Sequence, residues 1–322
     1  MPTTSTSPSR PSPTTTPVPT TTPKSSTPAC GSAPPAEAGV GSQWACTFDD
    51  EFDASTGDAT SLNLSKWTIQ KTANSGYSTG SSPYEPCYGS NANDVTVANG
   101  SLNLTVEQQA SFACPGLENG LSDSTQYSAG MVSTIYGFNQ QYGLYEVRAK
   151  IPSSAAPGLQ ETLWLEPVNT SLYGGEPAAG EIDFAEFFSD FANLDIPTIH
   201  YTGNSNNENV ATGVNVYTND TGANTTKCLI NVGQYNTYAI KWSPGSLTTY
   251  YNGQPCFTDN YQPTNVASPA PFNQPFFISL TQALGAASTL GLTGPNNQYR
   301  PGTSPTSATT NIDYVRVWQS KG

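Results

Sequence analysis

The residues best suited to chemistry lie in one short run, GEIDFAEFF, at positions 180–188. Its acids, Glu181, Asp183 and Glu186, are spaced two and then three residues apart, and its large apolar residues repeat that spacing one position later. Side chains of a regular strand alternate between two faces, so Glu186 would point into the core, where a lone carboxylate is costly. One extra residue at or near Ala185, a β-bulge, resets the alternation. The run therefore predicts a bulged strand with three carboxylates on one face.

Three carboxylates on one strand face repel one another, which favours a functional reason for their placement. Retaining glycosidases hold two carboxyl groups about 5–5.5 Å apart, one as the nucleophile and the other as the acid/base. Same-face neighbours on a strand lie roughly 6–7 Å apart at the backbone, and converging side chains can close that separation. Asp183, between the two glutamates, can share a proton with them and so separate their pKa values. A calcium site and a solvent-facing acidic strand are the alternatives.

Short alternating runs separated by turn residues surround this strand. DVTVANGSLNLTV (94–106) holds two such runs around Asn99-Gly100, and Asn252-Gly253 marks a second turn. Both dipeptides are strong hairpin signals. Further alternating runs are YGLYEVRAKIP (142–152), YNTYAIKW (235–242) and IDYVRVW (312–318). Because the sequence lacks long helical periodicity, these runs favour an all-β sandwich or barrel, jelly-roll types included.

Composition excludes some partners and divides the chain. Of 322 residues, 11 are Lys or Arg and 24 are Asp or Glu, which gives a formal net charge of -13. Phosphate neutralisation needs clustered basic residues, and a bilayer span needs a long apolar run. We therefore expect neither nucleic acid nor a membrane as a partner. Residues 1–38 are nearly all Pro, Thr, Ser and Ala and are predicted to be a disordered linker, with one domain at 39–322.

Six cysteines and a single histidine bear on the cellular compartment. The absence of a CxxC pair and the lone histidine disfavour a structural zinc site. An even cysteine count beside a Thr/Pro-rich tail favours the oxidising exterior, so we expect a secreted or cell-wall-associated protein; six buried free thiols are the alternative. The nearest-neighbour scheme closes loops of ordinary length, and it is the pairing that we predict: Cys30–Cys46, Cys87–Cys114 and Cys228–Cys256.

The run at 180–188 resembles the Glu-x-Asp-x-x-Glu signature of glycoside hydrolase family 16, in the bulged form typical of laminarinase-like endo-β-1,3-glucanases. Other segments are similar to the family in the expected order: TFDDEFD (47–53) with LSKW (64–67), YSAGMVSTIYGFNQQYGLYEVRAKIP (127–152), TLWLEP (162–167), TIHYTG (198–203) and IDYVRVWQ (312–319). The resemblance covers about residues 43–320. It implies a two-sheet β-sandwich of jelly-roll type with a concave substrate cleft.

The resemblance also implies residue roles. Glu181 would be the nucleophile, Asp183 its supporting acid and Glu186 the general acid/base of a retaining hydrolase. Trp164 would stack on a pyranose ring, although core packing is its alternative role. His200 would lie on the cleft floor, with a purely structural role as its alternative. The further candidates for substrate contact are Tyr201, Tyr84 and Gln282.

Two segments depart from the family pattern, and the family's structural calcium site is a further feature to consider. GLQETLW (158–164) has Gln160 where a tryptophan is usual, and TQALGA (281–286) has Gln282 at an apolar position. These departures leave the exact polysaccharide open. Many members bind a structural calcium, for which Asp313 and Gly100 fall at suitable places. No cofactor is expected for catalysis.

Other functions share parts of these features. GYSTG (76–80) matches the GxSxG motif of serine hydrolases with Ser78, but the residues after it cannot form the required helix. A jelly roll that only binds sugars would not need both Glu181 and Glu186. A transglycosylase or a galactan-type hydrolase would keep the same chemistry with another acceptor or substrate. We expect an endo-acting β-glucanase that acts as a monomer on a polysaccharide.

Overall fold

The computed structural model of the protein describes residues 30, 44–53, 61–80, 83–117, 123–154, 156–191, 193–202, 214–215, 228–285 and 297–321. Within these ranges the regular structure is almost entirely β-strand, and the helix α1 spans only Thr72–Ser75. No helix in the described ranges has the length and apolar character needed to cross a membrane. The strands are β1 (Trp44–Asp50), β2 (Thr68–Ile69), β3 (Cys87–Tyr88), β4 (Val95–Ala98), β5 (Ser101–Ala113), β6 (Ser124–Ala129), β7 (Met131–Ser133), β8 (Gly143–Lys150), β9 (Leu159–Pro167), β10 (Glu181–Phe188), β11 (Thr198–His200), β12 (Val214–Asn215), β13 (Tyr235–Ser243), β14 (Ser246–Tyr251), β15 (Gln254–Asp259), β16 (Phe276–Leu284) and β17 (Ser307–Ser320).

The described strands form two sheets that face each other. The first sheet has ten strands in the order β15-β14-β13-β8-β17-β5-β6-β3, with β1 paired to β17 and β4 to β5. The second has seven strands in the order β12-β11-β10-β9-β16-β7-β2. Buried apolar residues of both sheets, such as Leu102 of the first and Leu163 and Ile182 of the second, belong to one core. The predicted all-β, two-sheet sandwich is confirmed.

Two predicted hairpins have the turns that their sequences require. Asn99 and Gly100 join β4 to β5 with φ values of 56° and 73°. Asn252 and Gly253 join β14 to β15 with φ values of 49° and 77°. Successive residues with positive φ form the two-residue turn whose twist matches that of antiparallel strands, and Asn-Gly adopts it at low cost.

The cysteines pair as predicted and extend the folded body toward the N-terminus. Disulfides join Cys30 to Cys46, Cys87 to Cys114 and Cys228 to Cys256. Cys30 is only 1% exposed and packs in a small apolar cluster with Leu144 and Trp318. Cys30, which lies within the predicted linker, is therefore anchored to β1 by its disulfide. The rest of the predicted linker, residues 1–29 and 31–38, lies outside the described residues.

Candidate active site

The predicted bulge is present in β10. In the pairing of β10 with β9, Asp183 lies opposite Trp164 and Ala185 lies opposite Leu163, so Phe184 is the extra residue. Phe184 and Phe187 are 0% and 2% exposed in the core between the sheets. Glu181, Asp183 and Glu186 instead line one open cavity on the other face of the strand. The bulge thus separates three carboxylates from the apolar residues between them.

Neighbouring strands complete the cavity through their own alternation. From β9, every second residue faces the cavity, and from β16 two residues do the same. A short segment after α1 covers one side. The lining side chains other than the three acids are Tyr77, Thr79, Gln160, Thr162, Trp164, Thr281 and Ala283. Hydroxyl, amide and ring groups around a carboxylate row suit a neutral, hydroxyl-rich ligand.

His200 joins the first two acids into a cluster. It lies opposite Glu181 in the pairing of β10 with β11. Its Nε2 atom is 2.9 Å from Asp183 Oδ2 and 4.0 Å from Glu181 Oε1. Burial, followed by the negative charge of Asp183, raises the pKa of Glu181 well above its usual value. Burial raises the pKa of Asp183 in the same direction. Two such acids cannot both ionise at low cost, so they titrate as a unit and share a proton over a wide pH range.

The same three residues form a group compact enough to be considered as a metal site. One ligand atom from each of Glu181, Asp183 and His200 lies within 4.8 Å of the others. However, the 2.9 Å separation between His200 Nε2 and Asp183 Oδ2 is that of a hydrogen bond. The three residues therefore form a hydrogen-bonded cluster that shares a proton. Such a cluster separates the pKa values of paired carboxyl groups, as acid/base chemistry requires.

Glu186 is held by two hydrogen-bond donors. Gln160 Nε2 donates to its Oε1 atom at 2.9 Å, and Thr198 Oγ1 donates to its Oε2 atom at 3.3 Å. The carboxyl is 8% exposed. Burial and the negative charge of Asp183 raise the pKa of Glu186 to about 8, while His200 and the two donors act in the opposite direction. Glu186 is therefore mostly protonated at neutral pH and can give up a proton.

Trp164 lies in the cavity, as predicted. Its Nε1 atom donates to Thr281 Oγ1 at 3.0 Å, which fixes the plane of the indole. Tyr77 stacks with it at a ring-centroid distance of 6.4 Å and an interplanar angle of 28°. Two rings held beside a row of acids form a rigid amphipathic surface of the kind that contacts sugar rings.

Gln282 lies in the interior and not in the cleft, so its prediction as a substrate contact is wrong. Its neighbours Thr281 and Ala283 face the cavity, and alternation turns Gln282 toward the first sheet, where it is 0% exposed. There its Nε2 atom donates to Glu161 Oε1 at 2.7 Å, and its Oε1 atom accepts from Thr310 Oγ1 at 2.8 Å. Gln282 therefore links the two sheets behind the active site.

Tyr201 and Tyr84 also lie outside this cavity, which corrects their prediction as cleft residues. Tyr201 is 3% exposed and packs edge-on against Tyr261 and Phe272 in the core. It follows the end of β11, where the alternation that turns His200 toward Asp183 turns the next side chain inward. Tyr84 lines a separate cavity that is described below.

The calcium site implied at Asp313 and Gly100 does not fit the described residues. The carboxylate of Asp313 accepts a hydrogen bond from Arg148 Nη1 within an ion pair. A cation bound to Asp313 would therefore meet the positive charge of Arg148. Gly100 forms the β4–β5 turn, and a Cβ built on it would meet only Asp53 Cβ, at 4.0 Å. We place no metal ion at these residues.

Two contacts of Glu186 were not predicted, although the sequence held a signal for both. Gln160 lies four positions before Trp164 on β9, and Thr198 lies two positions before His200 on β11. Both therefore lie on the cleft face of their strands. Tyr77, by contrast, lies in a connecting segment, where no periodicity indicates the direction of a side chain.

The serine-hydrolase motif has no catalytic surroundings. Ser78 Oγ donates to the backbone oxygen of Pro86 at 2.6 Å. His200, the single histidine of the sequence, is hydrogen-bonded to Asp183 in the carboxylate cluster. A serine nucleophile needs a base within hydrogen-bond reach, so the GxSxG match is structural.

The buried carboxyl behind the active site makes stability depend on pH. Glu161 is 1% exposed, and burial raises its pKa from 4.5 to about 8. The folded state keeps the proton while the unfolded state releases it, so the contribution to stability is complete below about pH 4.5 and is lost as pH rises to about 8. We expect Glu161→Gln, which is always neutral, to raise the Tm by several degrees at about pH 9 and by much less at about pH 5.

Thermal unfolding of both proteins across this range measures the effect. Glu107→Gln on β5 is the matched control, because Glu107 is a partly exposed glutamate of the first sheet. If Glu161→Gln changed the Tm by the same amount at both pH values, Glu161 would not hold a proton in the folded state.

A two-sheet sandwich with paired carboxylates on a bulged strand, over a cavity lined by rings, defines a class of enzymes that cleave glycosidic bonds. A family profile described as "Beta-porphyranase A-D, GH16 domain" matches residues 44–320. The chain belongs to glycoside hydrolase family 16, and the predicted family is confirmed. Members of this family need no cofactor for catalysis.

Curated relatives of this chain include both glucanases and a galactosidase. "Glucan endo-1,3-beta-glucosidase A1" of Niallia circulans is 28% identical over 302 residues, covering 89% of this chain and 39% of the relative. "Keratan-sulfate endo-1,4-beta-galactosidase" of Sphingobacterium multivorum is 29% identical over 221 residues, covering 68% of this chain and 47% of the relative. The chain thus spans less than half the length of these two proteins.

Solved structures share the fold. The catalytic domain of an endo-1,3-beta-glucanase (laminarinase) from Thermotoga petrophila RKU-1 superposes with a TM-score of 0.63 at 20% identity, covering 87% of this chain and 100% of that one. The laminarinase from Rhodothermus marinus gives a TM-score of 0.64 at 21% identity, covering 87% and 99%. The likeness confirms the jelly-roll form of the sandwich.

Proposed function

We propose that this chain is an endo-acting, retaining hydrolase of β-glucans with β-1,3 linkages. The observation that carries the proposal is the bulge in β10, which brings Glu181 and Glu186 to one cavity with Asp183 between them. The two glutamates have different surroundings, since Glu181 lies beside Asp183 and His200 while Glu186 is held by Gln160 and Thr198. Different surroundings are what allow one carboxyl to act as the nucleophile and the other as the acid.

The reaction proceeds in two steps on these groups. Glu186 protonates the glycosidic oxygen while the carboxylate of Glu181 attacks the anomeric carbon and forms a glycosyl-enzyme. Glu186, now ionised, takes a proton from water, which attacks the same carbon and releases Glu181. When Glu181 attacks, the proton that it shares with Asp183 lies on Asp183, so that the negative charge is on Glu181. Two inversions leave the configuration of the sugar retained.

The choice of glucan is supported by the relatives named as endo-1,3-β-glucosidases. A galactan is the second candidate, because the matching profile is that of β-porphyranases and one relative is named as an endo-1,4-β-galactosidase. Gln160 supports neither sugar over the other, since its amide is occupied by Glu186. The two candidates share the mechanism and differ only in the sugar that the cleft accepts.

Digestion of a polysaccharide panel tests the proposal. The panel contains a β-1,3-glucan, a mixed β-1,3/1,4-glucan, an agarose and a porphyran, with product sizing and NMR of the anomeric configuration at early times. We expect short oligosaccharides of retained configuration from the β-1,3-glucan. Cleavage of the galactans alone would favour the second candidate, and longer products with an added acceptor would indicate transglycosylation. Binding without cleavage of any member would refute hydrolysis.

The alkaline limb of the pH profile should report Glu186. Its pKa of about 8 means that the acid form, which the first step needs, is lost as pH rises through this value. The raised pKa values of Glu181 and Asp183 place the acidic limb above the range of an ordinary glutamate. We expect kcat/KM to fall tenfold per pH unit above about 8, as measured with a soluble oligosaccharide. A rate that is constant through this region would contradict the assigned acid.

Gln160 should set the position of that limb. Its amide donates to the carboxylate of Glu186 and so favours the ionised form. We expect Gln160→Leu to move the alkaline limb upward by about one pH unit, since a hydrogen bond to a charged group is worth about 1.5–3 kcal/mol. Thr162→Val is the control, because Thr162 lines the same cavity without donating to Glu186. An identical shift in both variants would mean that general polarity, and not the Gln160 amide, tunes the acid.

We also propose that the protein is secreted or associated with the cell wall and acts as a monomer. The three disulfides support an oxidising compartment, and a polysaccharide is a substrate found outside cells. Fractionation of the source organism tests the location, and light scattering of the purified protein tests the oligomeric state. Recovery in the reducing cytosol would refute the first part, and a stable dimer would refute the second.

A further inference from the structure

Tyr84 lies in a second cavity, separate from the carboxylate row. This cavity has a volume of about 410 Å³ and opens to solvent. A volume of this size lies in the range of about 300–1,000 Å³ that ligand pockets occupy. Tyr84 and Tyr127 form its aromatic part, with their rings edge-on at a centroid distance of 6.2 Å.

The other lining groups are neutral and polar. Gln108, Gln126, Ser111 and Ser124 are among the lining residues, while the Thr125 hydroxyl donates to the backbone oxygen of Glu85 at 2.7 Å. None of the described lining residues is an acid or a base, although the chain carries a formal charge of -13. Rings combined with uncharged donors and acceptors match a neutral sugar chain, which presents hydroxyls at its edge and C–H groups on its faces. A charged ligand would find no counter-charge on these walls.

An irregularity in the first sheet lies beside the cavity. Gln108 of β5 pairs with Tyr127 of β6, and Phe112 pairs with Thr125, so that β5 has two more residues than β6 between the two pairs. The extra residues interrupt the β5–β6 ladder beside Gln108, Ser111 and Thr125, which line the cavity. Bulges of this kind disrupt a ladder and re-aim side chains, and they are over-represented next to functional sites.

The second cavity shares none of its described lining residues with the catalytic cavity, but packed residues connect the two. Thr79 lines the catalytic cavity, and a Cβ built on the following Gly80 would lie 3.4 Å from the backbone oxygen of Tyr84. On the interior side, Tyr84 packs against Tyr299 at a centroid distance of 5.4 Å. Tyr299 belongs to the same apolar cluster as Trp164. A close backbone approach at Gly80 therefore links Thr79, of the catalytic cavity, to Tyr84, of the second cavity.

We propose that this cavity is a second carbohydrate-binding site, which holds a neutral segment of the polysaccharide outside the catalytic cleft. The identity of the sugar rests on the proposed function, whereas the existence of the site does not. Two sites that bind one long chain raise its effective affinity without any new contact at the point of cleavage. The site would thus keep the enzyme on a polymer and have little effect on short substrates.

Binding to an inactive enzyme tests the site directly. In a Glu181→Gln background, titration with a β-1,3-gluco-oligosaccharide of about six units should show two molecules bound per chain. Adding Tyr84→Ala should leave one, with the affinity of the remaining site unchanged. Gln126→Ala is the second variant, because Gln126 is exposed and lines the cavity, so its loss should weaken the second site roughly fivefold. Tyr136→Ala is the matched control, since Tyr136 is 86% exposed and lines neither cavity.

Kinetics of the active enzyme provide the second measurement. Tyr84→Ala should raise KM for a long β-1,3-glucan roughly fivefold or more relative to KM for a short oligosaccharide, and Tyr136→Ala should change neither. One molecule bound per Glu181→Gln chain, with normal glucan hydrolysis by the unsubstituted enzyme, would overturn the second site alone. Tyr84-dependent binding in a protein that hydrolyses no polysaccharide would support the site and refute the proposed function.

Discussion

Replacing Glu181 with glutamine should reduce the hydrolytic rate by roughly four orders of magnitude or more, because the variant has no nucleophile to form the glycosyl-enzyme. The fold should survive the change. Glutamine has nearly the shape of glutamate and carries no charge. The variant therefore lacks the repulsion between Glu181 and Asp183 that raises the pKa of Glu181 in the unsubstituted protein. We therefore expect oligosaccharide affinity to stay within about threefold of that of the unsubstituted protein, as measured by calorimetry alongside kcat.

Glu107→Gln on β5 is the control for this experiment, since it removes one carboxylate from the first sheet, away from the carboxylate row. Its kcat should equal that of the unsubstituted enzyme. A Glu181→Gln variant with more than about a tenth of the original activity would contradict the nucleophile, and it would direct attention to Asp183 as the group that attacks.

The bulge in β10 was predictable because polarity makes only one arrangement tolerable. Burial of Glu186 among Ile182 and Phe184 would cost several kcal/mol, roughly 2–7 for a polar group without a partner and more for a charge. The acids and the large apolar residues both change their spacing from two to three at the same position, and this indicates that the strand changes face there. The Asn-Gly hairpins were predictable for a similar reason, since few other dipeptides accept positive φ at two successive residues.

The direction of Gln282 is indicated by the alternation of β16, although all nine residues of Phe276–Leu284 are buried. Ile278 and Leu280 alternate with the polar Ser279 and Thr281, and a period of two puts Gln282 on the same face as Ile278 and Leu280. Gln282 was assigned to the cleft because it is polar, whereas the interior supplied Glu161 and Thr310 as partners.

The surroundings of Glu186 depended on a feature that only the folded sheet supplies. Gln160 lies opposite Phe188 in the β9–β10 pairing, two positions from the partner of Glu186. Its amide reaches Glu186 diagonally across the two strands, and the register that permits this contact includes the bulge. The sequence indicated Gln160 as a departure from the family, but it did not indicate that the amide donates to the acid. Tyr84, predicted as a cleft residue, instead lines a separate cavity, and it lies outside the strands, where no periodicity indicates the direction of its side chain.

Replacement of Glu186 with alanine should separate the two steps of the reaction. Hydrolysis of the polysaccharide should fall by about 10²–10⁴-fold, because its leaving group needs a proton from Glu186. An aryl glycoside with an acidic phenol leaves without that proton, so its first step should be nearly unaffected. The glycosyl-enzyme on Glu181 should then accumulate, since no base remains to activate water. We expect a burst of phenol followed by slow turnover.

Azide should restore turnover of the aryl glycoside in Glu186→Ala, and the product should distinguish the roles of the two glutamates. Azide is already an anion, so it attacks the anomeric carbon without a base and fits the space that the missing side chain leaves beside Gln160 and Thr198. Displacement of Glu181 from the glycosyl-enzyme gives a β-glycosyl azide, which NMR identifies, and azide should not help Glu181→Gln in this way. An α-glycosyl azide from Glu186→Ala would mean that Glu186 is the nucleophile, because a single displacement on the substrate inverts the carbon. The anomeric configuration of the glycosyl azide thus shows whether Glu181 or Glu186 is the nucleophile.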